Sequence, residues 1–266
     1  MSQQLDTPSV PRPQIALFVT CLVDLIRPSV GFATLDLLQR AGCDVVVPDS
    51  QSCCGQPGYN SGDFPASKTI ARQFIKTFEG YQYVVAPSGS CIGMVKHHYP
   101  RLLSEDPQWH ARAVALAEHC FELTSFLVDV MQLDPAQLSQ GQQPLTACYH
   151  DSCAGLRELG VKQQPRALLA GVPGLELKEM QDTDVCCGFG GTFCVKLPDI
   201  SREMVDTKLA NAEATGAALL LGGDMGCLLN IAGRVSREGK PLEVRHIAEV
   251  LAGEMSGPAI GVGEKS

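Results

Sequence analysis

Apolar residues gather along this chain in short runs, each closed by a small, polar or proline residue. Ile15-Ala16-Leu17-Phe18-Val19 ends at Thr20, Asp44-Val45-Val46-Val47 at Pro48, and Tyr83-Val84-Val85-Ala86 at Pro87. Continuous runs of this length predict strands buried on both faces, as in a parallel sheet. Helical spacing fills the intervals. Pro28 to Ala41 carries Val30, Leu35, Leu37 and Leu38, with Gly42 as its stop. A second helix is predicted from Pro65 to Phe78, stopped by Gly80, and a short one from Cys91 towards Tyr99. Residues 100–140 read as helical and connective, with helices over Trp109 to Cys120 and Ser125 to Met131. The polar run from Asp134 to Pro144 reads as a linker.

The same order then returns. Leu145 to Tyr149, Leu175 to Met180 and Ala217 to Leu221 are predicted strands, and Leu242-Glu243-Val244 a final one. Helices are predicted around Pro165 to Leu169, from Asp199 to Thr215, after Cys227, and from Ile247 to Ala252. Asp199 or Ser201 is the expected cap of the long helix and Gly216 its end. Strands alternating with helices in both halves predict an α/β protein of two tandem, pseudo-repeated Rossmann-like halves with mainly parallel sheets. The expected halves are residues 14–140 and 141–252, with flexible tails at 1–13 and 253–266. Ligands of such sheets sit outside the carboxyl ends of the strands.

Composition narrows the chemistry. The chain of 266 residues carries a net charge of −8, which leaves no basic footprint for nucleic acid. Its N-terminal stretch is polar, and the first apolar run is too short for a signal peptide or a membrane span. A cytoplasmic protein is therefore expected. Twelve cysteines in such a chain read as metal-binding or redox-active rather than as disulfide staples.

Eight of the twelve form a repeat. Cys53-Cys54-Gly55 and Cys186-Cys187-Gly188 lie 133 residues apart, half the chain. Cys21 precedes the first pair with 31 residues between, and Cys153 the second with 32. Cys91 follows the first with 36 between, and Cys227 the second with 39. All eight fall just after predicted strands, so each set of four is expected to converge on one rim. Four thiolates at one site suit an iron–sulfur cluster or zinc, and metal-free thiols are a third possibility. Adjacent cysteines are awkward for one tetrahedral ion, because neighbours in an extended chain point to opposite faces. A larger cluster takes both if the backbone turns at Gly55 or Gly188.

The remaining candidates are weaker. Cys43 and Cys120 read as small core residues, Cys120 on a helix. Cys148 and Cys194 are possible spare ligands. His150 and Asp151, beside Cys153, can orient a thiolate, relay a proton or hold the loop. His97 and His98 read as helix-surface residues and His246 as a neighbour of a helix cap. No nucleotide fingerprint follows the first strand, Gly188-Phe189-Gly190-Gly191 lacks the Gly-Lys-Ser/Thr of a phosphate loop, and no Ser-His-Asp set stands out.

The doubled cysteine motif resembles the cysteine-rich (CCG) domain family from about Ile15 to Ala252. Within that family, Ser88-Gly89-Ser90-Cys91, Tyr149-His150-Asp151-Ser152-Cys153, Cys186-Cys187-Gly188-Phe189-Gly190-Gly191-Thr192-Phe193 and His246-Ile247-Ala248-Glu249 are similar to its lactate-utilization branch. The heterodisulfide reductase branch is more distant. The resemblance implies an iron–sulfur electron-transfer subunit for oxidation of L-lactate to pyruvate. It implies one or two clusters, [4Fe-4S] in type, held by Cys21, Cys53, Cys54 and Cys91 and by Cys153, Cys186, Cys187 and Cys227. The implied partners are a ferredoxin-type iron–sulfur protein and a third, smaller component. Two departures stand out. Met94 and Asn230 occupy the places where the heterodisulfide branch carries a fifth cysteine, and Ala154 stands where the family often has histidine. No residue emerges as a base for lactate, so the chain is not expected to be the catalyst alone. A zinc-stabilised scaffold and a thiol–disulfide or heterodisulfide reductase subunit are the alternative readings.

Overall fold

A computed structural model describes residues 12–137 and 144–262. The first half runs β1 (Gln14–Leu17), α1 (Cys21–Ile26), α2 (Pro28–Arg40), β2 (Asp44–Val46), α3 (Gln56–Asn60), α4 (Phe64–Phe78), β3 (Tyr83–Ala86), α5 (Gly89–Gly93), a π-helical turn (Met94–His98), α6 (Tyr99–Leu102), α7 (Pro107–Glu118), β4 (Cys120–Glu122) and α8 (Leu123–Ser125), which leads into a second π turn (Phe126–Val130). The second half runs β5 (Leu145–His150), α9 (Cys153–Arg157), α10 (Gln163–Ala170), β6 (Leu175–Leu177), α11 (Phe193–Lys196), α12 (Pro198–Ala214), β7 (Leu219–Gly222), α13 (Met225–Arg237), β8 (Glu243–His246) and α14 (Ile247–Ala252).

The strands form two four-stranded sheets, ordered β2-β1-β3-β4 and β6-β5-β7-β8. Every neighbouring pair is parallel. The α/β fold of two repeated halves is thus what the chain adopts. In each sheet the chain leaves the first strand to one side and returns to the other. That places the switch point, where ligands gather, between β1 and β3 and between β5 and β7.

The continuous apolar runs are explained by burial on both faces. Ile15 and Leu17 of β1 face one core, with Val30, Leu37 and Leu38 of α2. Ala16 and Phe18 face the other, with Phe74, Ile75 and Phe78 of α4. Phe18 meets Phe74 edge-on at a centroid distance of 4.9 Å. Burying each of these large side chains stabilises the fold by about 1.5–3 kcal/mol.

Three expectations need correction. Residues 100–122 hold a strand as well as helices: β4 pairs with β3, and Cys120 sits on that strand rather than on a helix. Neither Asp199 nor Ser201 caps α12. The helix begins at Pro198, whose fixed φ and missing N–H suit a first turn, so Leu197 takes the cap position without a side-chain bond. The chain after α14 is not loose throughout: Ala259 and Ile260 are buried, and the Ile260 N–H donates to the Val244 carbonyl at 2.9 Å. The segment after β4 packs on α10 of the second half. The expected N-terminal arm, most of the linker and the last four residues fall largely outside the described residues.

Candidate metal centres

Cys21 opens α1 directly beyond β1. Thr20 before it holds φ 70° and ψ 146°, a region that side-chain-bearing residues rarely occupy. Such a conformation costs about 1–3 kcal/mol and persists only where the surroundings enforce it. Cys53 and Cys54 lie between β2 and α3, and Gly55 turns the chain with φ 79°. Cys91 lies in the first turn of α5, where its N–H donates to the hydroxyl of the cap residue Ser88 at 3.3 Å. The sulfurs of Cys21 and Cys53 are 3.7 Å apart. The Cys54 thiol lies within hydrogen-bonding reach of Cys53 on one side and of Cys91 on the other. The four thiols thus form a continuous chain. The hydroxyl of Tyr99 donates to the Cys54 carbonyl at 2.7 Å and pins the pair.

The second half repeats this with different supports. Cys153 opens α9, capped by Ser152. Cys227 lies in the first turn of α13, capped by Asp224. The Cys153 thiol lies within hydrogen-bonding reach of Cys186, and that of Cys187 within reach of Cys186 and Cys227. Asn230 takes the part of Tyr99, donating to the Cys187 carbonyl at 2.8 Å. Gly188 has φ 82°. Its N–H meets the Cys186 sulfur at 3.4 Å, the same distance as from the Gly55 N–H to the Cys53 sulfur.

The glycine turns resolve the objection to adjacent cysteines. With a left-handed residue directly after each pair, both sulfurs face the same ring. The first of each pair is the acidic member. Hydrogen bonds from Cys21, then Cys54, hold the Cys53 thiol far below its ordinary range. Bonds from Cys153, then Cys187, do the same for Cys186. The donors Cys21, Cys54, Cys153 and Cys187 are pushed up by giving those bonds and by burial. Each ring therefore presents four cysteine sulfurs with a backbone N–H aimed at one of them. That donor set fits a thiophilic metal or an iron–sulfur cluster.

The rings face one another. A cavity of about 220 Å³ opens on Cys21, Cys53, Cys54 and Cys91. Another, of about 340 Å³, opens on Cys153, Cys186, Cys187 and Cys227. Gln56, Asn60, Ser90, Phe189, Gly191 and Asp224 line both. Asp224 is the joint. One carboxylate oxygen accepts from the Gly226 N–H at 3.2 Å in its own helix. The other accepts from the Ser90 N–H at 2.9 Å and the Ser88 hydroxyl at 3.1 Å, across in α5. One buried side chain thus fixes the starts of both helices that carry the last cysteine of a ring. Close approach of α5 to α9 needs Gly89, since a Cβ there would lie 2.8 Å from the Gly155 Cα.

The structure sorts the other candidates. Cys43, Cys120 and Cys148 are buried in the core. The Cys194 thiol turns away to donate to the Gly191 carbonyl at 3.2 Å. Asp151 is committed to Arg166 through a two-pronged ion pair at 2.9 and 3.0 Å. His246 is itself the cap of α14 in a capping box with Glu249. His97 and His98 are not inert: they hold the carbonyl and the carboxylate of Glu158, and His98 borders the second cavity. His150 is the residue underrated from sequence. It is buried, and a ring nitrogen lies within 4.8 Å of the sulfurs of Cys187 and Cys227. The available signal was positional: His150 stands three residues before Cys153, where the first half has Phe18 before Cys21.

Two parallel α/β halves, each presenting a ring of four thiols at the carboxyl ends of its strands, define a tandem cysteine-ring protein. The chain belongs to the cysteine-rich (CCG) domain family, whose model matches residues 15–96 and again 147–232. It is 49% identical over 238 residues to "Lactate utilization protein A" of Bacillus cytotoxicus, covering 90% of this chain and 98% of that one. Proteins of the same name match at 49% identity in a Geobacillus species and at 48% in Halalkalibacterium halodurans, each over 90% of this chain and 98% and 96% of theirs. A crystal structure of a hypothetical protein from Helicobacter pylori shares the fold, with a TM-score of 0.59 and 10% identity. That match covers 93% of this chain and half of the other. Among the described residues no helix is long and apolar enough to cross a membrane.

Proposed function

We propose that this chain is the iron–sulfur electron-transfer subunit of a system that oxidises L-lactate to pyruvate in the cytoplasm. Cys21, Cys53, Cys54 and Cys91 hold one cluster, and Cys153, Cys186, Cys187 and Cys227 hold the other. Both are of the four-iron type that four thiolates suit. The observation that carries this reading is the duplicated ring: four thiols, a glycine N–H aimed at sulfur and a facing cavity, built twice across one shared wall. The name printed for the curated relatives supports lactate as the electron source. A cluster in each ring would supply one-electron transfer. The chain's own residues position the sulfurs and offset thiolate charge with backbone N–H groups. Partners are a ferredoxin-type iron–sulfur protein and a smaller third component.

Iron, zinc and acid-labile sulfide per chain, measured on anaerobically purified protein, test the reading. Roughly eight irons with matching sulfide are expected, two four-iron clusters. The double variant Cys186→Ser, Cys187→Ser should lose the second cluster's iron and keep the first. Zinc without sulfide would replace this reading with that of a zinc-stabilised scaffold.

A further inference from the structure

We propose that His150 donates a ring N–H to the sulfur of whatever group the second ring binds, so that the two rings hold unequal centres. The inference rests on the iron–sulfur reading above.

His150 is 1% exposed. Among the described residues neither of its ring nitrogens has a hydrogen-bond partner. Leaving a buried polar group unpaired costs about 1–3 kcal/mol. Nearby charges do not relieve it. Asp151 is committed to Arg166, and Asp224 to Ser88, Ser90 and Gly226. Lys208 donates to the carbonyls of Asp182 and Thr183. The ring is instead aimed at the Cys187 and Cys227 sulfurs, with all three ligand atoms within 4.8 Å of one another. An imidazole carries at least one N–H in either protonation state. A bound sulfur-rich group is therefore the acceptor that this side chain lacks.

Donation is favoured over ligation by the same observation. A metal-bound histidine almost always passes its other ring N–H to an acceptor. The far nitrogen of His150 has none among the described residues. The four cysteines remain the ligands and the imidazole supports them.

Among the described residues the first ring has no histidine at the matching position. Phe18, at the matching position, is packed against Phe74 and Phe78. Hydrogen bonds to cluster sulfurs stabilise the more negative, reduced state and raise the potential. The second ring is therefore the better electron acceptor, and electrons entering at the first run towards the second.

Anaerobic potentiometric titration followed by EPR tests this on the wild type, His150→Phe and His150→Gln. The wild type should show two reduction steps. His150→Phe, the first half's own choice, should keep its iron and sulfide and lower the potential of the higher step alone. His150→Gln, which keeps an N–H donor, should restore most of that loss. Pulsed EPR of wild type carrying ¹⁵N-labelled histidine in D₂O needs no variant. It should show an exchangeable deuteron and a weak nitrogen coupling at one centre. The proposal is overturned if His150→Phe retains iron with both potentials unchanged, or if the coupling is the strong one of a bonded nitrogen. Wild type without iron and sulfide would instead sink the functional reading itself, which separates the two failures.

Discussion

Gly55 and Gly188 perform one task in two settings, and the settings predict different tolerances. Both need a positive φ, so an alanine at either carries a strain of about 1–2 kcal/mol. A Cβ on Gly55 would meet the Ile70 side chain at 3.2 Å, and that side chain can shift. A Cβ on Gly188 would meet the Ser201 carbonyl oxygen at 2.6 Å, inside α12, and the helix backbone cannot. Gly188→Ala should therefore cost about 3 kcal/mol, and Gly55→Ala about half of that. Urea unfolding of the two variants, each against the wild type, checks the difference, and equal losses would refute the account. The eight cysteines were legible because residue type, spacing and strand ends all agreed. His150 was not, because a histidine beside a strand end is chemically mute until its burial and missing partners are known.

Helices carry the coupling between rings, and Asp224 is where it can be broken. Replacing it with alanine leaves the Ser90 and Gly226 N–H groups and the Ser88 hydroxyl without their shared acceptor. The buried Gly226 N–H is left without its side-chain partner at about 1–3 kcal/mol, the partly buried Ser90 N–H loses less, and the Ser88 hydroxyl keeps the Ser90 hydroxyl at 3.3 Å. The loss falls on α5 and α13 together, so Asp224→Ala should lower the metal content of both rings. Asp224→Asn keeps one accepting oxygen and should lie between. Metal analysis of Asp224→Ala beside the Cys186, Cys187 double variant distinguishes loss at both rings from loss at one. Depletion of the second ring alone would show that Asp224 serves only its own helix. Elements with strong periodicity, such as α2, α4 and α12, were readable from the sequence. β4 was not: Cys120-Phe121-Glu122 is three residues long, and its strand identity comes from pairing with β3 rather than from any alternation of its own. The cap of α12 was misplaced because a proline start outranked the acidic and hydroxyl residues just beyond it.

At the scale of the molecule the two repeated halves are packed on each other. α2 of the first half lies on α14 of the second, and one core joins Val30 and Leu37 to Ile247 and Leu251. At its edge the Arg27 guanidinium meets the buried Glu249 carboxylate at 2.8 Å, and the Ser29 hydroxyl donates to the same oxygen at 2.7 Å. Removing one partner of a buried pair costs about 3–5 kcal/mol, because the other charge is stranded. Facing rings across a shared wall require this rigidity, since a hinge there would vary the distance between them. The protein should therefore unfold in one cooperative step. Trp109, the chain's one tryptophan, reports on the first half alone, through its contact with Arg112 at 4.0 Å from ring centroid to guanidinium. Far-ultraviolet circular dichroism reports on both halves. In urea the two signals should give coincident curves, and Arg27→Ala should move both to lower denaturant by the same amount. A tryptophan transition that separates from the dichroism curve, or that stays in place while the other moves, would mean that the halves fold independently and the rings are not held in fixed register.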